Sequence, residues 1–214
     1  MNHHREMKKS DFDIRHQHKS TQSKIVASLE RISQAFRVLL WQECKEHALS
    51  PIQVQVLIFL LHHSEAMRKV SYLADEFNMT RATISDTVKS LELKELITKE
   101  TEQTDSRSYT IHLTEKGKAI AKQNAFFTQE LHVPIVELPE RDREQLLLSL
   151  FKIIKHLNQT GVITIQRMCT TCMHYQNSKG ANAHYCKLLN TPLKNADLRI
   201  DCPEHESIHS SIGL

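Results

Sequence analysis

At 214 residues with a formal net charge of +3, the chain has room for one ordinary domain and a smaller addition, and its mild basicity neither requires nor excludes a polyanionic partner. Four glycines and five prolines are few, which favours helices over many turn-linked strands, and a 6% aromatic share disfavours a surface that reads single strands by stacking bases. No apolar run nears the ~20 residues that cross a bilayer, and the polar, His-rich start has no signal-peptide core, so a cytoplasmic protein with no membrane partner is expected.

Residues 1–22 are charged and polar without a periodic apolar face, and a disordered N-terminal arm is expected there. Ile25, Leu29, Ile32, Phe36 and Leu39 then recur at three- and four-residue steps, one stripe of an amphipathic helix ending near His47. Ser50-Pro51 opens a second helix, with Val54, Leu57, Ile58 and Leu61 on its apolar face. A short helix fits Val70 to Phe77, Asn78-Met79 turns, and Thr80 caps a helix to about Lys94 with Ile84, Val88 and Leu91 inward. Two helices joined by so short a turn form a helix-turn-helix. Ile97–Thr101 and Arg107–Leu113 alternate and contain β-branched residues around a polar turn, which predicts a hairpin. Thr114 caps a helix expected to run to about Leu131, with Pro134 and Pro139 as punctuation. A last helix spans about Glu140 to Asn158 and ends at Gly161.

The fold class expected is mainly α with a small β-hairpin wing, followed by a cysteine-rich segment. The domains would be an arm (1–22), a winged helix-turn-helix with flanking helices (23–160) and a tail (161–214).

The segment LADEFNMTRATISDTVKSLELKELI, from Leu73 to Ile97, and DSRSYTIHLTEKG, ending at Gly117, together resemble the MarR family of bacterial regulators. The wing pattern Asp-x-Arg, five residues, Leu-Thr is present as Asp105, Arg107, Leu113 and Thr114. The resemblance implies a homodimer that pairs through its first and last helices, binds double-stranded DNA, and is most often a repressor acting at a palindromic operator. It also implies that Arg107 reaches the minor groove and that Asp105 shapes or pairs it. Family members often take small effectors, but no residue here identifies one.

The physics of the predicted helix agrees with that implication. The major groove of B-DNA admits one α-helix. The helix after Thr80 offers Arg81, Thr83, Ser85, Asp86, Lys89 and Ser90 on faces away from its apolar side. Its first turn is small and polar, which permits close approach to phosphates and base edges. From Arg68 to Lys118, nine Lys or Arg face nine Asp or Glu, so binding must rest on a few placed groups rather than on a basic patch. In one respect the sequence departs from the family. A glycine usually follows the recognition helix, where Glu95 stands, and a left-handed backbone there would cost Glu95 about 1–2 kcal/mol. The expectation is therefore a differently built turn into the wing.

Cys169-Thr-Thr-Cys172 is a C-x2-C knuckle, followed by Cys186 after thirteen residues and Cys202 after fifteen more. Four thiols in a reducing compartment point to a metal, and the tail has few large apolar residues for its length (Leu188, Leu189, Leu193, Leu198 and Ile200). Zinc is the structural default for four sulfurs; an iron–sulfur cluster is the alternative, given Cys202-Pro203. His174, His184 and His205 are candidate substitutes for one cysteine. Cys44, alone on the first helix, reads as a packing residue. No nucleophile–base pair, phosphate loop or paired carboxylates suggest an enzyme. The competing expectation is a protein-interaction module built on a winged helix and zinc tail, without sequence-specific DNA binding.

Overall fold

A computed structural model describes residues 9–101, 108–177 and 184–208. The chain divides into two compact units, residues 1–54 and 55–214. The cysteine segment thus shares a unit with the helix-turn-helix.

In the first unit a helical turn, α1 (Ile14–Gln17), precedes the long helix α2 (Thr21–Glu46). Both starts are capped: Asp13 accepts from the Arg15 amide, and the Ser20 hydroxyl accepts from the Ser23 amide. The Ser23 hydroxyl, itself buried, donates to Asp11 at 2.7 Å. Residues 9–22, expected to be disordered, therefore carry local structure. The reason is hydrogen bonding by short polar side chains, which an apolar-periodicity criterion does not register. Helix α3 (Pro51–His62) opens on a reciprocal cap, the Ser50 amide donating to Gln53 Oε1 at 3.0 Å and the Gln53 amide to the Ser50 hydroxyl at 3.4 Å. Val54, Val56, Leu57, Phe59 and Leu60 of α3 are buried.

The second unit continues with α4 (Val70–Glu76) and α5 (Arg81–Leu93), then the antiparallel pair β1 (Ile97–Thr101) and β2 (Tyr109–Leu113), in register from Ile97 opposite Leu113 to Thr101 opposite Tyr109. The Ile111 amide also donates to the Arg68 carbonyl at 2.9 Å, tying the hairpin to the chain before α4. Leu73, Ala74, Ile84, Val88, Leu91, Leu96, Ile97 and Ile111 form the buried centre of this winged helix.

Instead of one helix to Leu131, the chain forms α6 (Glu115–Asn124), a turn, and α7 (Gln129–Glu137), with Pro134 inside α7. The break at residues 125–128 contains neither Gly nor Pro, so composition gives no warning of it. The proline removes only one intrahelical donor and is accommodated beyond the first turn. Helix α8 (Glu140–Gln159) follows.

Four helices end in one motif. After α2, α4, α5 and α8, a residue with positive φ (Ala48, Asn78, Glu95 and Gly161, at 50°, 51°, 60° and 74°) turns the chain back. The next amide in each case bonds a carbonyl five residues earlier: Leu49 to Cys44, Met79 to Ala74, Leu96 to Leu91 and Val162 to Leu157, at 2.8–3.0 Å. This is the Schellman ending, which normally prefers glycine. Glu95 thus does adopt the left-handed conformation that its side chain disfavours, and the turn into the wing has the geometry expected of a glycine. Closing the hydrogen bonds and covering Leu96 outweigh a local penalty of about 1–2 kcal/mol.

The tail holds a three-stranded antiparallel sheet of β3 (Tyr175–Asn177), β4 (His184–Cys186) and β5 (Thr191–Leu193), in that order. Its core is partly borrowed. Met168 and Leu198 are buried with Phe151 of α8, and Leu147, Leu148 and Ile154 of α8 pack against them. Of the tail leucines and isoleucine expected as core, Leu188, Leu189 and Ile200 are about half exposed. Among the described residues no helix is long and apolar enough to cross a membrane.

Candidate nucleic-acid interface and cysteine centre

The N-terminus of α5 is built by Thr80, whose hydroxyl accepts from the Thr83 amide at 3.1 Å and lies 2.8 Å from the Thr83 hydroxyl. Ile84, Val88 and Leu91 anchor the helix inward, and Thr87 is also buried, its hydroxyl donating to the Thr83 carbonyl at 2.9 Å. Thr80, Arg81, Thr83, Asp86 and Lys89 are exposed, while Ser85 and Ser90 are half-buried at the edge of the face. Lys89 and Asp86 pair at 3.3 Å in water, so this lysine is partly neutralised by its neighbour. The Arg81 side chain makes no ion pair or hydrogen bond among the described residues, and it is the cation at the front of the helix. Farther along, Lys99 pairs with Glu92 at 2.5 Å and Lys116 donates to the Lys94 carbonyl at 3.1 Å. Asp105 and Arg107 lie outside the described residues.

The hairpin is fastened to α5 at its base. The Thr114 hydroxyl donates to the Glu95 carbonyl at 2.8 Å and accepts from the Gly117 amide at 3.0 Å. Gly117 is needed there: a Cβ on it would lie 1.9 Å from the Leu96 carbonyl oxygen.

All four tail cysteines are free and line one cavity of about 30 Å³. Cys172 is buried and the other three are half-buried. Donors are aimed at the sulfurs: the Arg199 amide reaches Cys169 Sγ at 3.2 Å and the Arg199 guanidinium reaches Cys202 Sγ at 3.6 Å. Burial pushes the Cys169 thiol up, the Arg199 amide opposes this, and the nearness of Cys202, Cys186 and Cys172 pushes it up further. The sulfurs face a common space without being drawn to one point: among the described residues, no three His, Cys, Asp or Glu side chains are gathered closely enough to enclose an ion. Of the three histidines considered as substitutes, only His174 lines the cavity. His184 is held by Tyr175 and Asn195, and His205 by Thr171. Cys44 is buried on α2, its thiol pushed up by burial and then by Glu43.

One cluster escaped the sequence reading. Arg167, only 8% exposed, uses all the N–H groups of its guanidinium. Nε and Nη2 donate to Asp201 at 2.6 and 2.9 Å, Nη1 and Nη2 to Glu76 at 2.7 and 3.2 Å, and Nη1 to the Tyr72 hydroxyl at 2.8 Å. The guanidinium carbon stands 5.9 Å from both the Phe59 and Tyr72 ring centres. His63 Nε2 lies 2.9 Å from the same Asp201 carboxylate. Hydrogen bonding to Arg167 holds the Asp201 carboxyl down to about 2, against the opposing effect of its burial. No local pattern announces this cluster, because its members are brought together from separations of 34 to 104 residues.

Comparison with known proteins bears on the winged helix. Residues 48–108 match the model of the MarR family. Among solved structures, the chain is similar to the MepR–DNA complex of Staphylococcus aureus (TM-score 0.55, 22% identity, covering 62% of this chain and 97% of that one). It is equally similar to S. aureus MepR in its DNA-binding conformation (0.55, 23% identity, 62% and 98%). A MarR transcriptional regulator from Methanosarcina mazei follows at 0.52 and 18% identity, covering 61% and 96%. No curated protein matches the chain. The fold is the winged helix of these regulators.

Proposed function

We propose that this chain is a DNA-binding transcriptional regulator of the MarR type, acting as a homodimeric repressor at a palindromic operator. The observation that carries the reading is α5: a helix anchored by Ile84, Val88 and Leu91, with a small polar first turn and, at its front, an exposed Arg81 whose side chain pairs with none of the described residues. The match of residues 48–108 and the likeness to MepR bound to DNA support it. Thr80, Arg81, Thr83, Ser85, Lys89 and Ser90 are the groups that meet the groove, Asp86 tempers Lys89, and the wing brings Asp105 and Arg107.

The dimer reading rests on uncovered apolar side chains. Ile25, Val26, Ile32, Phe36, Val38 and Trp41 of α2 are each more than 40% exposed. Val133, Ile135 and Val136 of α7 and Leu146 of α8 are at least 40% exposed as well. Apolar surface on this scale marks a protein interface, and a two-fold partner places two recognition helices about one DNA turn apart.

Cys169, Cys172, Cys186 and Cys202 are proposed as the ligands of one zinc ion. The donor set fits: four thiols around one cavity repel each other as thiolates, and a divalent cation resolves that repulsion. Zinc is the structural default for four sulfurs, and the four cysteines line one cavity. Zinc would supply tetrahedral cross-linking and no redox chemistry.

Titration of duplex DNA selected from a random pool tests the regulator reading. Contacts with about six to ten phosphates make affinity fall by roughly 10³–10⁵-fold between about 50 and 200 mM salt. An interaction module without DNA binding shows no salt-dependent complex, and that result would defeat the proposal. Metal analysis on the same preparation is expected to find one zinc per chain in a colourless protein.

A further inference from the structure

The tail is bolted to the helix-turn-helix itself. Residues 164–167, just before Cys169, lie along it: the Thr164 hydroxyl donates to Asn78 in the turn at 2.9 Å, and Arg167 binds Tyr72 and Glu76 on α4. The other side of the Arg167 fork holds Asp201, next to Cys202. The backbone repeats the connection, with the Cys202 amide donating to the Arg167 carbonyl and the Cys169 amide to the Arg199 carbonyl, each at 3.0 Å. Two of the four sulfurs are therefore one hydrogen bond or two residues from a buried arginine that grips the first helix of the motif.

Helix α4 has seven residues, too few to be stable by itself. Its inner face is fixed by buried Leu73 and Ala74. The face carrying Tyr72 and Glu76 is fixed by Arg167. A planar guanidinium with all its donors used has one arrangement, so it transmits position more rigidly than an apolar contact does.

We infer that Arg167 couples the cysteine centre to DNA binding: a metal-loaded tail holds Asp201 and Arg167 in place, Arg167 holds α4 and its turn, and operator affinity is thereby tied to metal occupancy. This rests on the zinc and DNA readings above. The sign follows from preorganisation. With zinc absent, Cys169 and Cys202 lose their common anchor, Arg167 loses the fixed Asp201, and α4 must be ordered when DNA binds. Zinc tightens DNA binding, and by linkage DNA tightens zinc.

The test uses the full chain, zinc-loaded or stripped by chelator, with a duplex selected by the loaded protein and fluorescence anisotropy at fixed salt. Stripping is expected to weaken wild-type binding on the order of ten-fold, within the usual range of allosteric coupling. Amide exchange in Val70–Glu76 should quicken in parallel. Arg167→Lys keeps the positive charge and loses the fork. It is expected to retain one zinc per chain while its loaded-to-stripped affinity ratio falls below about two-fold. Should circular dichroism show that this variant is unfolded, Glu76→Gln, which leaves the Arg167–Asp201 pair intact, is measured instead and should show the same collapse. Equal wild-type affinity with and without zinc, or an undiminished ratio in the folded variant, overturns the coupling and leaves the regulator and zinc readings standing. A chain that binds no zinc or no duplex overturns both.

Discussion

The winged-helix head and the cysteine tail share one compact unit, yet they are held by different means. Between Val70 and Gly117 local starts and stops recur: Thr80 and Thr114 cap α5 and α6, and Asn78 and Glu95 end α4 and α5. Eight buried apolar residues from two helices, two strands and the turn between α5 and β1 meet in its centre. Among its described residues the tail has three strands of three residues, two short 3-10 turns, and a core completed by Phe151 from α8. Such short strands do not hold themselves. Local chemistry holds α5, α6 and the hairpin, whereas the tail needs partners from outside its own sequence: α8, the α4 side chains that Arg167 grips and, on the reading proposed here, a metal.

The sharpest way to separate the two is Cys172→Ser. Cys172 is the buried member of the four and lines the cavity. Structural zinc contributes ~10–16 kcal/mol of apparent binding free energy in small zinc-dependent folds, so loss of one ligand is expected to abolish stoichiometric zinc and open the tail. Amides of β4 and β5 should exchange freely while those of α5 and β1 stay protected. Uniform loss of protection through α5 would mean that the head is no more self-sufficient than the tail.

Gly117→Ala strikes the other side. Its Cβ would meet a backbone oxygen at 1.9 Å and the attached carbon at 2.9 Å, atoms that cannot rotate away. Helix α6 must then part from the start of β1, and chemical denaturation is expected to show a loss of roughly 3 kcal/mol. Zinc content should remain one per chain. A neutral result would show that the α6–β1 approach is looser than the geometry states.

These expectations also explain which parts of the molecule were legible in the sequence. Helices α2 to α5, the hairpin and α8 follow from apolar periodicity together with Ser, Thr and Pro at starts, all of which act within a few residues. The four cysteines were visible as a group because C-x2-C is a local signature. What could not be read was long-range. Arg167 gives no hint that Glu76, 91 residues earlier, and Asp201, 34 residues later, will share it. Nor does the stripe on α8 reveal that Phe151, Leu147, Leu148 and Ile154 serve the tail, while Leu146 and Ile153 stay exposed. Periodicity shows that a face is apolar, not what covers it. The break between α6 and α7 was illegible for a different reason: no residue in it disfavours a helix strongly enough to be noticed.

Glu95→Gly has the smallest expected effect and bears on how self-sufficient the head is. Glu95 sits at φ 60° with an exposed side chain, and its carboxylate makes no bond among the described residues. Relief of the left-handed strain is worth about 1–2 kcal/mol, and the extra freedom of glycine in the unfolded chain returns roughly 0.5–1 kcal/mol of it. A net gain of about 0.5–1 kcal/mol should raise the melting temperature by roughly 1–4 °C. A lower melting temperature would mean that the carboxylate contributes something the hydrogen bonds do not reveal. Asn78, at φ 51° in the other turn, provides the control. Asparagine tolerates this conformation better, and its side chain accepts the Thr164 hydroxyl. Asn78→Gly therefore relieves little strain and cuts a tether to the tail, so no gain is expected. The two left-handed residues differ as the two regions do: Glu95 closes the head upon itself, and Asn78 is where the head is held from outside.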